Sequence, residues 1–454
     1  MASVSSAASY LVIGLGQTGL AVADYLQRQG LRFAVADTRQ APPGLAAFQA
    51  TYAGVDVRLG PLDADYLKRF THLVVSPGLS IHTPEIVAAR EAGVEVLGDI
   101  ELFCQAAQQP IIAITGSNGK TTVTTLIGAM IQACGYRVAV GGNIGIPALS
   151  LLTQPTDFYV LELSSFQLET LSSLRAQVAL LLNISEDHLD RYPDMAAYVQ
   201  AKQAIFRGCA VAVYNRQDGQ TEPASSGSAR RVSFGLDAPV TDQDVGVGLH
   251  QGKEWLMQGQ HPCLPVDQVQ LAGLHGRSNA LAALACGLAA GLPLEGLLRG
   301  VRQFVGLPHR CQKVAELAGV RYYNDSKATN IGAVLAAVQG LQEEVARLWL
   351  ILGGEGKGQD FDLLKTGLAQ ACAEGKIAGV ALIGRDAPQI KTAMHDLCAC
   401  VISQTLDQAV LSLSALAQPG DAVVLSPACA SFDQFSGYQQ RGEVFVQCVQ
   451  QLSI

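Results

Sequence analysis

The stretch from residue 111 to residue 122 constrains this chain most. It reads Ile-Ile-Ala-Ile-Thr-Gly-Ser-Asn-Gly-Lys-Thr-Thr, an apolar run followed by a turn with two glycines and the start of a helical pattern. Backbone N–H groups in such a turn, together with the positive end of the following helix, attract phosphate. Lys120 adds a positive charge, and the Thr121 hydroxyl is a suitable Mg²⁺ ligand. The pattern predicts a strand, a phosphate-binding loop and a helix.

An ordinary turn with a helix cap is the alternative interpretation of a bare Gly-Lys-Thr sequence. The usual phosphate loop also has a first glycine where this chain has Ile114. The strand before the turn and the helix after it favour the phosphate loop, because this motif requires that context.

Composition limits the class of protein. The chain has 454 residues, of which 49% are hydrophobic and 15% charged, so it can form about three domains of ordinary size. Its net charge of −8, with no basic stretch, argues against a nucleic-acid partner. The 11 cysteines are scattered, which favours reduced thiols. Without a basic leader or an apolar run of ~18 residues, we expect a cytoplasmic protein with no membrane partner.

Short apolar runs alternate with helical patterns, which favours parallel sheets covered by helices. A stretch near 217–244 indicates loops and edge strands, and 274–290 predicts a long helix. The predicted strands fall into three blocks: 10–14, 32–37, 72–76 and 94–97; then 111–115, 157–162 and 178–183; then 320–323, 348–352, 380–383 and 422–425.

A glycine fingerprint follows the first strand. Gly14, Gly16 and Gly19 match G-x-G-x-x-G, and Asp37 ends the next strand, where an acid that binds ribose would lie. Taken alone, this pattern indicates a dinucleotide-binding dehydrogenase. A diphosphate grip for a substrate and a tight turn without a ligand are the other interpretations, and the phosphate loop downstream favours the substrate grip.

Two strand ends in the second block carry candidate metal ligands. Glu162 closes an apolar strand beside the phosphate loop, where a carboxylate can hold Mg²⁺. His188 lies in a polar cluster after the next strand, so a ligand and a structural histidine are equally good interpretations. Lys202 follows in a helix, and from the residues alone it is best interpreted as a solvent lysine.

The third block carries three polar or glycine-rich segments after apolar strands. They are 324–330, 353–357 and 426–435, and they include Lys327 and Lys357. Three such segments at one sheet edge indicate a site, where the lysines can pair with carboxylates or with a transferring phosphate.

Together these motifs resemble the Mur ligase family, and the resemblance covers nearly the whole chain. It rests on the following segments: 115–122, Glu162 with 164–167, 183–190, 307–310, 324–330 and 425–435. It implies three α/β domains: an N-terminal Rossmann-like domain at 1–98, a central P-loop ATPase-like parallel sheet at 99–305, and a C-terminal Rossmann-like domain at 306–454.

The resemblance also implies an activity. Members of this kind use ATP to phosphorylate a carboxylate, and an amine then attacks the acyl phosphate to form an amide. The last motifs indicate addition of D-glutamate to UDP-N-acetylmuramoyl-L-alanine, a cytoplasmic step of peptidoglycan precursor synthesis. The implied cofactors are ATP and two Mg²⁺ ions, and the expected state is a monomer.

Site residues follow from the same resemblance, by position. The catalytic set would be Lys120, Glu162, His188, Lys202 and Lys327. ATP would be bound by Gly116, Ser117, Asn118, Gly119, Lys120, Thr121, Thr122, Asn279, Arg310 and Asp325. The UDP substrate would be bound by Gly16, Gln17, Thr18, Asp37, Thr38, Arg39, Ser76, Asn143 and His188. D-Glutamate would be bound by Lys327, Thr329, Lys357, Ser431 and Tyr438. Magnesium would be held by Thr121, Glu162, His188 and Lys202, the last as its N-carbamate.

Two positions depart from the family pattern. Gly276 stands where relatives often have an asparagine, and Tyr438 stands where a phenylalanine is familiar. The nearest alternative is another Mur ligase, or a folylpolyglutamate synthase, that shares the ATP chemistry and adds a different amino acid. A dehydrogenase and a nucleotide-regulated binding module without ligase activity are the others.

Overall fold

The computed structural model describes residues 8–185, 191–224 and 229–452. Three sheets succeed one another along the chain. The first has five parallel strands in the order β3-β2-β1-β4-β5. Its elements are β1 Ser9–Ile13, α1 Gln17–Arg28, β2 Arg32–Asp37, α2 Leu45–Thr51, β3 Val57–Leu59, α3 Ala64–Leu67, β4 His72–Val75, α4 Pro84–Glu91, β5 Glu95–Leu97 and α5 Asp99–Ala106.

The second sheet has nine strands in the order β14-β13-β12-β11-β10-β9-β6-β8-β7. Pairing is parallel from β7 through to β12. Its elements are β6 Ile111–Thr115, α6 Lys120–Ala133, β7 Val138–Gly142, α7 Ala148–Leu151, β8 Phe158–Glu162, α8 Ser165–Glu169, β9 Val178–Leu181, α9 Met195–Gln203, β10 Val211–Asn215, β11 Arg230–Phe234, β12 Val245–His250, β13 Lys253–Gln258, β14 His261–Pro265, α10 Gly273–Ala289 and α11 Leu294–Gln303.

The third sheet has the order β15-β16-β20-β17-β18-β19, parallel except for the antiparallel pair β15 and β16. Its elements are β15 Gln312–Leu317, β16 Val320–Asn324, α12 Ile331–Leu341, β17 Leu348–Gly353, α13 Asp362–Ala373, β18 Ile377–Ile383, α14 Ala387–Met394, β19 Cys400–Ile402, α15 Leu406–Ser414, β20 Ala422–Leu425 and α16 Tyr438–Gln451.

The predicted α/β class with parallel sheets is confirmed. The expectation of edge strands within 217–244 was wrong for β11, which pairs with β10 on one side and β12 on the other. Its sequence, Arg-Arg-Val-Ser-Phe, carries little apolar signal because only its second half is buried.

Contacts divide the chain into two compact units. One holds the described residues up to 246 with 257–261 and 282–300, and the other holds 247–256, 262–281 and the described residues from 301 onward. Within the first unit, one apolar core includes Val12 and Val35 of the first sheet with Leu161 and Ala179 of the second. The domain boundaries after 98 and 305 stay predictions. None of the helices in the described part of the chain combines the length and apolar character of a membrane span.

Candidate active site

The phosphate loop joins β6 to α6 in the interior of the second sheet, between the ends of β8 and β9. Gly119 is the N-cap of α6 and has a left-handed backbone with φ of 80°. Gly116 has φ of 155°, and a Cβ there would lie 2.9 Å from the Cβ of Leu182. Both positions therefore require glycine, because side chains are strained at these φ values. The predicted loop is present, with Lys120, Thr121 and Thr122 in the first turn of α6.

The segment after β9 and a residue of α9 hold this loop in place. The backbone N–H of Ser117 donates to the Asn183 carbonyl at 2.9 Å, and that of Asn118 donates to Asn183 Oδ1 at 2.8 Å. The Ser117 hydroxyl lies 3.0 Å from the hydroxyl of Tyr198. The conformation of the loop is thus stabilised by hydrogen bonds to two neighbouring segments of the chain.

Two lysines donate to the same loop carbonyl. Lys120 Nζ lies 2.7 Å from the Gly116 oxygen and 2.8 Å from the Ser117 oxygen, and Lys202 Nζ lies 2.9 Å from the Gly116 oxygen. Lys202 is only 2% exposed. The interpretation of Lys202 as a solvent lysine was therefore wrong, and the amphipathic pattern of α9 is too weak to have revealed its burial.

Glu162 closes β8 next to the loop and is 3% exposed. Its Oε1 accepts a hydrogen bond from the Asn143 side chain at 3.1 Å. Its Oε2 is buried and has no hydrogen-bond donor among the described residues. A buried carboxylate oxygen without a donor suits a hard cation, which offsets the cost of burying the charge. His188, another of the predicted metal ligands, lies outside the described residues.

A cleft of about 540 Å³ opens in the first unit, and we call it the Gly16 cleft. The loops after β1, β2 and β4 line one side, and the loop after β7 lines another. It brings together eight of the nine residues predicted for the UDP substrate: Gly16, Gln17, Thr18, Asp37, Thr38, Arg39, Ser76 and Asn143. Asn143 lines this cleft and also donates to Glu162, so one residue of the lining contacts the end of β8.

Glycines shape the turn that opens the cleft. A Cβ at Gly19 would lie 1.9 Å from the Gly14 carbonyl, and one at Gly14 would lie 2.6 Å from the Ser76 hydroxyl. A Cβ at Gly16 would meet nothing within 4 Å. Two glycines are therefore needed for packing, whereas Gly16 leaves open space at the N-cap of α1, where an anion is favoured.

The Asp37 carboxylate stabilises this turn by accepting hydrogen bonds. Its Oδ2 accepts from the Leu15 N–H at 2.7 Å and from Arg39 Nη2 at 2.7 Å, and its Oδ1 accepts from the Arg39 N–H and Nε, both at 2.9 Å. Burial opposes ionisation, but these hydrogen bonds dominate and hold the pKa of Asp37 at about 2. Both oxygens are engaged within the protein, which disfavours the ribose contact of a dehydrogenase.

The second unit gathers the end of β16 with the end of β20. Asp325 Oδ1 accepts from the Cys311 N–H at 3.0 Å, and its Oδ2 accepts from the Ser426 hydroxyl at 2.9 Å. Burial raises the pKa of Asp325 to about 7, although these hydrogen bonds and the charge of Arg310 oppose the rise. Of the other residues predicted for ATP, Arg310 precedes β15 and Asn279 lies in α10.

Lys327 and Tyr438 are adjacent, with Lys327 Nζ 4.4 Å from the centre of the tyrosine ring. Close by, the Ser326 hydroxyl donates to the Tyr438 carbonyl at 2.8 Å. The fully buried Arg441 donates to the Ser326 carbonyl at 2.8 Å and the Cys429 carbonyl at 3.0 Å. Two loops and the start of α16 are thereby fixed to one another.

The remaining predicted D-glutamate residues lie on neighbouring loops. Lys357 is exposed, with its Nζ 5.9 Å from the ring centre of Phe432. Ser431 is buried, and no hydrogen-bond partner for its hydroxyl occurs in the described part of the chain. A bridge between Glu355 and Ala430 joins these two loops. Thr329 lies two positions after Lys327, in the loop between β16 and α12.

Sequence reasoning missed Tyr198 and Arg441 as residues of the site. Tyr198 contacts the phosphate loop from α9, and Arg441 anchors two loops from α16. Neither lies at a strand end, where most of the sequence motifs fall. A polar side chain buried on one side of a helix has no distinctive pattern in a single sequence.

Comparison with known proteins supports the same picture. Three family models match: Mur ligase MurD-like, N-terminal domain over 8–98; Mur ligase middle domain over 114–287; and Mur ligase, glutamate ligase domain over 309–429. A UDP-N-acetylmuramoylalanine–D-glutamate ligase of Pseudomonas aeruginosa is 49% identical over 454 residues, which is 100% of each chain. One of Marinobacter nauticus is 49% identical over 441 residues, covering 96% of each.

A solved MurF ligase from Thermotoga maritima, in complex with ADP, matches with a TM-score of 0.60 at 15% identity, covering 98% of this chain and 96% of that one. At that identity the match shows the fold alone. The fold and the phosphate loop define a nucleotide-dependent enzyme built on three β-sheets covered by helices. With full-length relatives at nearly half identity, the chain belongs to the Mur ligase family.

Proposed function

We propose that this chain joins D-glutamate to UDP-N-acetylmuramoyl-L-alanine, with ATP converted to ADP and phosphate. The observation that carries the proposal is the link from the Gly16 cleft to the phosphate-loop side of the sheet through Asn143 and Glu162. A substrate bound in the cleft at its nucleotide end can present its other end to a phosphoryl donor. The full-length relatives, which are UDP-N-acetylmuramoylalanine–D-glutamate ligases, support the choice of substrates.

In the first step, a carboxylate oxygen of the alanyl group attacks the γ-phosphorus of ATP, and ADP leaves. The resulting acyl phosphate carries a phosphate leaving group, which the free carboxylate lacks. Both reactants are anions, so their approach requires positive charge. Lys120 and the N-terminus of α6 supply it at the phosphate loop.

The residues present fit Mg²⁺. Thr121 and Glu162 would hold one ion, and His188 with a carbamylated Lys202 would hold a second. Bound Mg²⁺ would neutralise charge on the phosphates. Carbamylation would convert a cation at Lys202 into an oxygen ligand, and Lys202 is buried against the phosphate loop, where such a ligand would face the phosphates.

In the second step, the amine of D-glutamate attacks the acyl carbon, and the phosphate leaves as the amide forms. Lys327, Thr329, Lys357, Ser431 and Tyr438 are the residues proposed to hold this amino acid. Two lysines suit its two carboxylates. Asn279, Arg310 and Asp325 are proposed to contact ATP, with a monomer in the cytoplasm as the working form.

Phosphate release from ATP tests the proposal. The assay contains UDP-N-acetylmuramoyl-L-alanine and one amino acid at a time. Release that requires D-glutamate supports the whole proposal, whereas release with another amino acid keeps the reaction and changes the acceptor. No release from wild-type protein, with the Lys120→Ala variant equally silent, would reject ligase activity with this substrate.

A further inference from the structure

We propose that Arg191 is a positioning residue that fixes the spacing between two walls of the Gly16 cleft, and so sets affinity for the UDP-linked substrate. The inference rests on the proposed function for the identity of that substrate. Arg191 lies after β9, outside the cleft lining, and none of the sequence motifs assigned it a role.

The first wall is the loop after β4, of which residues 76–79 line the cleft. Arg191 Nη1 donates to the Pro77 carbonyl at 3.1 Å, and Nη2 lies 3.4 Å from the Leu79 carbonyl. Within the first sheet, this loop is held by the Ser76 N–H on the Ile13 carbonyl. Arg191 therefore supplies the restraint that comes from the second sheet's side of the cleft.

The second wall includes α8, which contributes Gln167 to the cleft. The guanidinium carbon of Arg191 lies 4.0 Å from the centre of the Phe166 ring. Its Nη2 also pairs with Glu169 Oε2 at 3.2 Å. The carboxylate of Glu169 is fixed in turn, because Tyr192 donates to its Oε1 at 2.6 Å.

One guanidinium thus contacts both walls, and its planar fork is what makes this possible. An arginine can donate along several directions while one face stacks on an aromatic ring. The Arg191 side chain is 15% exposed and that of Glu169 is 12% exposed, so water screens the pair weakly. A lysine can keep the ion pair but cannot also reach both carbonyls and cover the ring.

The experiment compares Arg191→Ala, Arg191→Lys and a matched control, Arg175→Ala. Arg175 is an exposed arginine of the same unit that donates to the carbonyls of Ser172 and Leu174 and to neither wall. Calorimetric titration with UDP-N-acetylmuramoyl-L-alanine gives affinity without turnover. Steady-state kinetics give KM for each of the three substrates.

We expect Arg191→Ala to weaken binding of the UDP-linked substrate at least tenfold, with KM for ATP and D-glutamate changed less than twofold. Arg191→Lys should give an intermediate loss, and Arg175→Ala should match wild type. Unchanged affinity in Arg191→Ala would overturn the proposal, as would an equal rise of all three KM values. If Arg191→Ala does not fold, Arg191→Lys decides by the same criteria. Wild-type protein that binds the substrate without turnover would count against the ligase function and leave this test intact.

Discussion

Asn143 and Glu162 are joined twice: the Asn143 backbone N–H donates to the Glu162 carbonyl at 2.8 Å, and its side-chain amide donates to Glu162 Oε1 at 3.1 Å. The second hydrogen bond orients the carboxylate, so that Oε2 is the oxygen left for a cation. The same asparagine lines the Gly16 cleft. Substrate binding and the proposed metal site are therefore one hydrogen bond apart.

Replacing Glu162 tests the metal site. Glu162→Gln preserves the hydrogen bond to Asn143 but replaces a charged ligand with a neutral amide, which binds Mg²⁺ poorly. We expect kcat to fall by at least about 100-fold, as for loss of a major electrostatic contribution, with a higher Mg²⁺ concentration needed for half-maximal rate. The surface variant Glu374→Gln is the control, because that residue is exposed at the end of α13. A wild-type magnesium dependence in Glu162→Gln would contradict the assignment.

Carbamylation of Lys202 can be tested by NMR spectroscopy. We expect protein equilibrated with ¹³C-bicarbonate to show a carbamate carbon signal in the NMR spectrum. The signal should be absent in Lys202→Arg, because the guanidinium does not form this adduct at neutral pH. Lys202→Arg should also lose ligase activity. Identical spectra from the two proteins would show that Lys202 acts as an ammonium, as in its hydrogen bond to Gly116.

Two glycines of the first turn should behave differently when replaced by alanine. Gly19→Ala places a Cβ 1.9 Å from the Gly14 carbonyl and should destabilise folding by about 2 kcal/mol or more, as overpacking does. Gly16→Ala has open space and should stay within about 0.5 kcal/mol of wild type. It should still raise KM for the UDP-linked substrate, because the methyl group occupies the approach of the diphosphate. Urea unfolding and kinetics measure the two effects, and an equal loss of stability would contradict them.

Tyr438 should act through its ring. Because Lys327 Nζ lies 4.4 Å from the ring centre, Tyr438→Phe keeps the contact and Tyr438→Ala removes it. We expect KM for D-glutamate to be near wild type in the first variant. In the second it should rise about fivefold, matching a cation–π energy of about 1 kcal/mol. A large effect in Tyr438→Phe would instead assign the hydroxyl to the substrate.

Stability should depend on pH through Asp99. Burial raises the pKa of Asp99 from 3.8 to about 6, despite a side-chain hydrogen bond from Gln167, and Oδ1 has no partner among the described residues. The folded state then binds more protons than the unfolded state between those pH values. The stabilising contribution is complete below the unfolded pKa and is lost as pH rises through the folded pKa.

The Asp99→Asn variant removes this dependence. Its stability relative to wild type should increase by about 1 kcal/mol between pH 5 and pH 8, measured by urea unfolding. Asp242→Asn, at an exposed carboxylate, is the control. A difference that is constant for Asp99→Asn would mean that this carboxyl titrates normally.

Residues at strand ends could be predicted from sequence because parallel strands deliver their carboxyl ends to one edge. Glu162, Asp37 and Asp325 were all identified in this way, and Gly16 followed from its motif. The partners of these residues could not be predicted. Both carboxylate oxygens of Asp37 accept hydrogen bonds from Leu15 and Arg39, whereas one oxygen of Glu162 has no donor among the described residues. These differences depend on side-chain directions, which a sequence pattern does not contain.

Contacts between distant segments were also beyond the sequence. Arg191 binds carbonyls more than 110 positions earlier in the chain, and carbonyls have no residue signature. The burial of Lys202 likewise depends on how α9 packs against the phosphate loop. In both cases a charged side chain makes its contacts inside the protein. Composition and periodicity predict such buried charged residues poorly, because charged residues are mostly exposed.

Arg441 has a consequence for how the second unit matures. Arg441, near the start of α16, donates hydrogen bonds to the loops after β16 and β20. The Asn324 side chain also donates to the Gly442 carbonyl at 3.0 Å. A nascent chain that has emerged only as far as β20 holds every strand of the third sheet but lacks this support. The loops of the proposed amino-acid pocket therefore lack this support until residues 441 and 442 have left the ribosome.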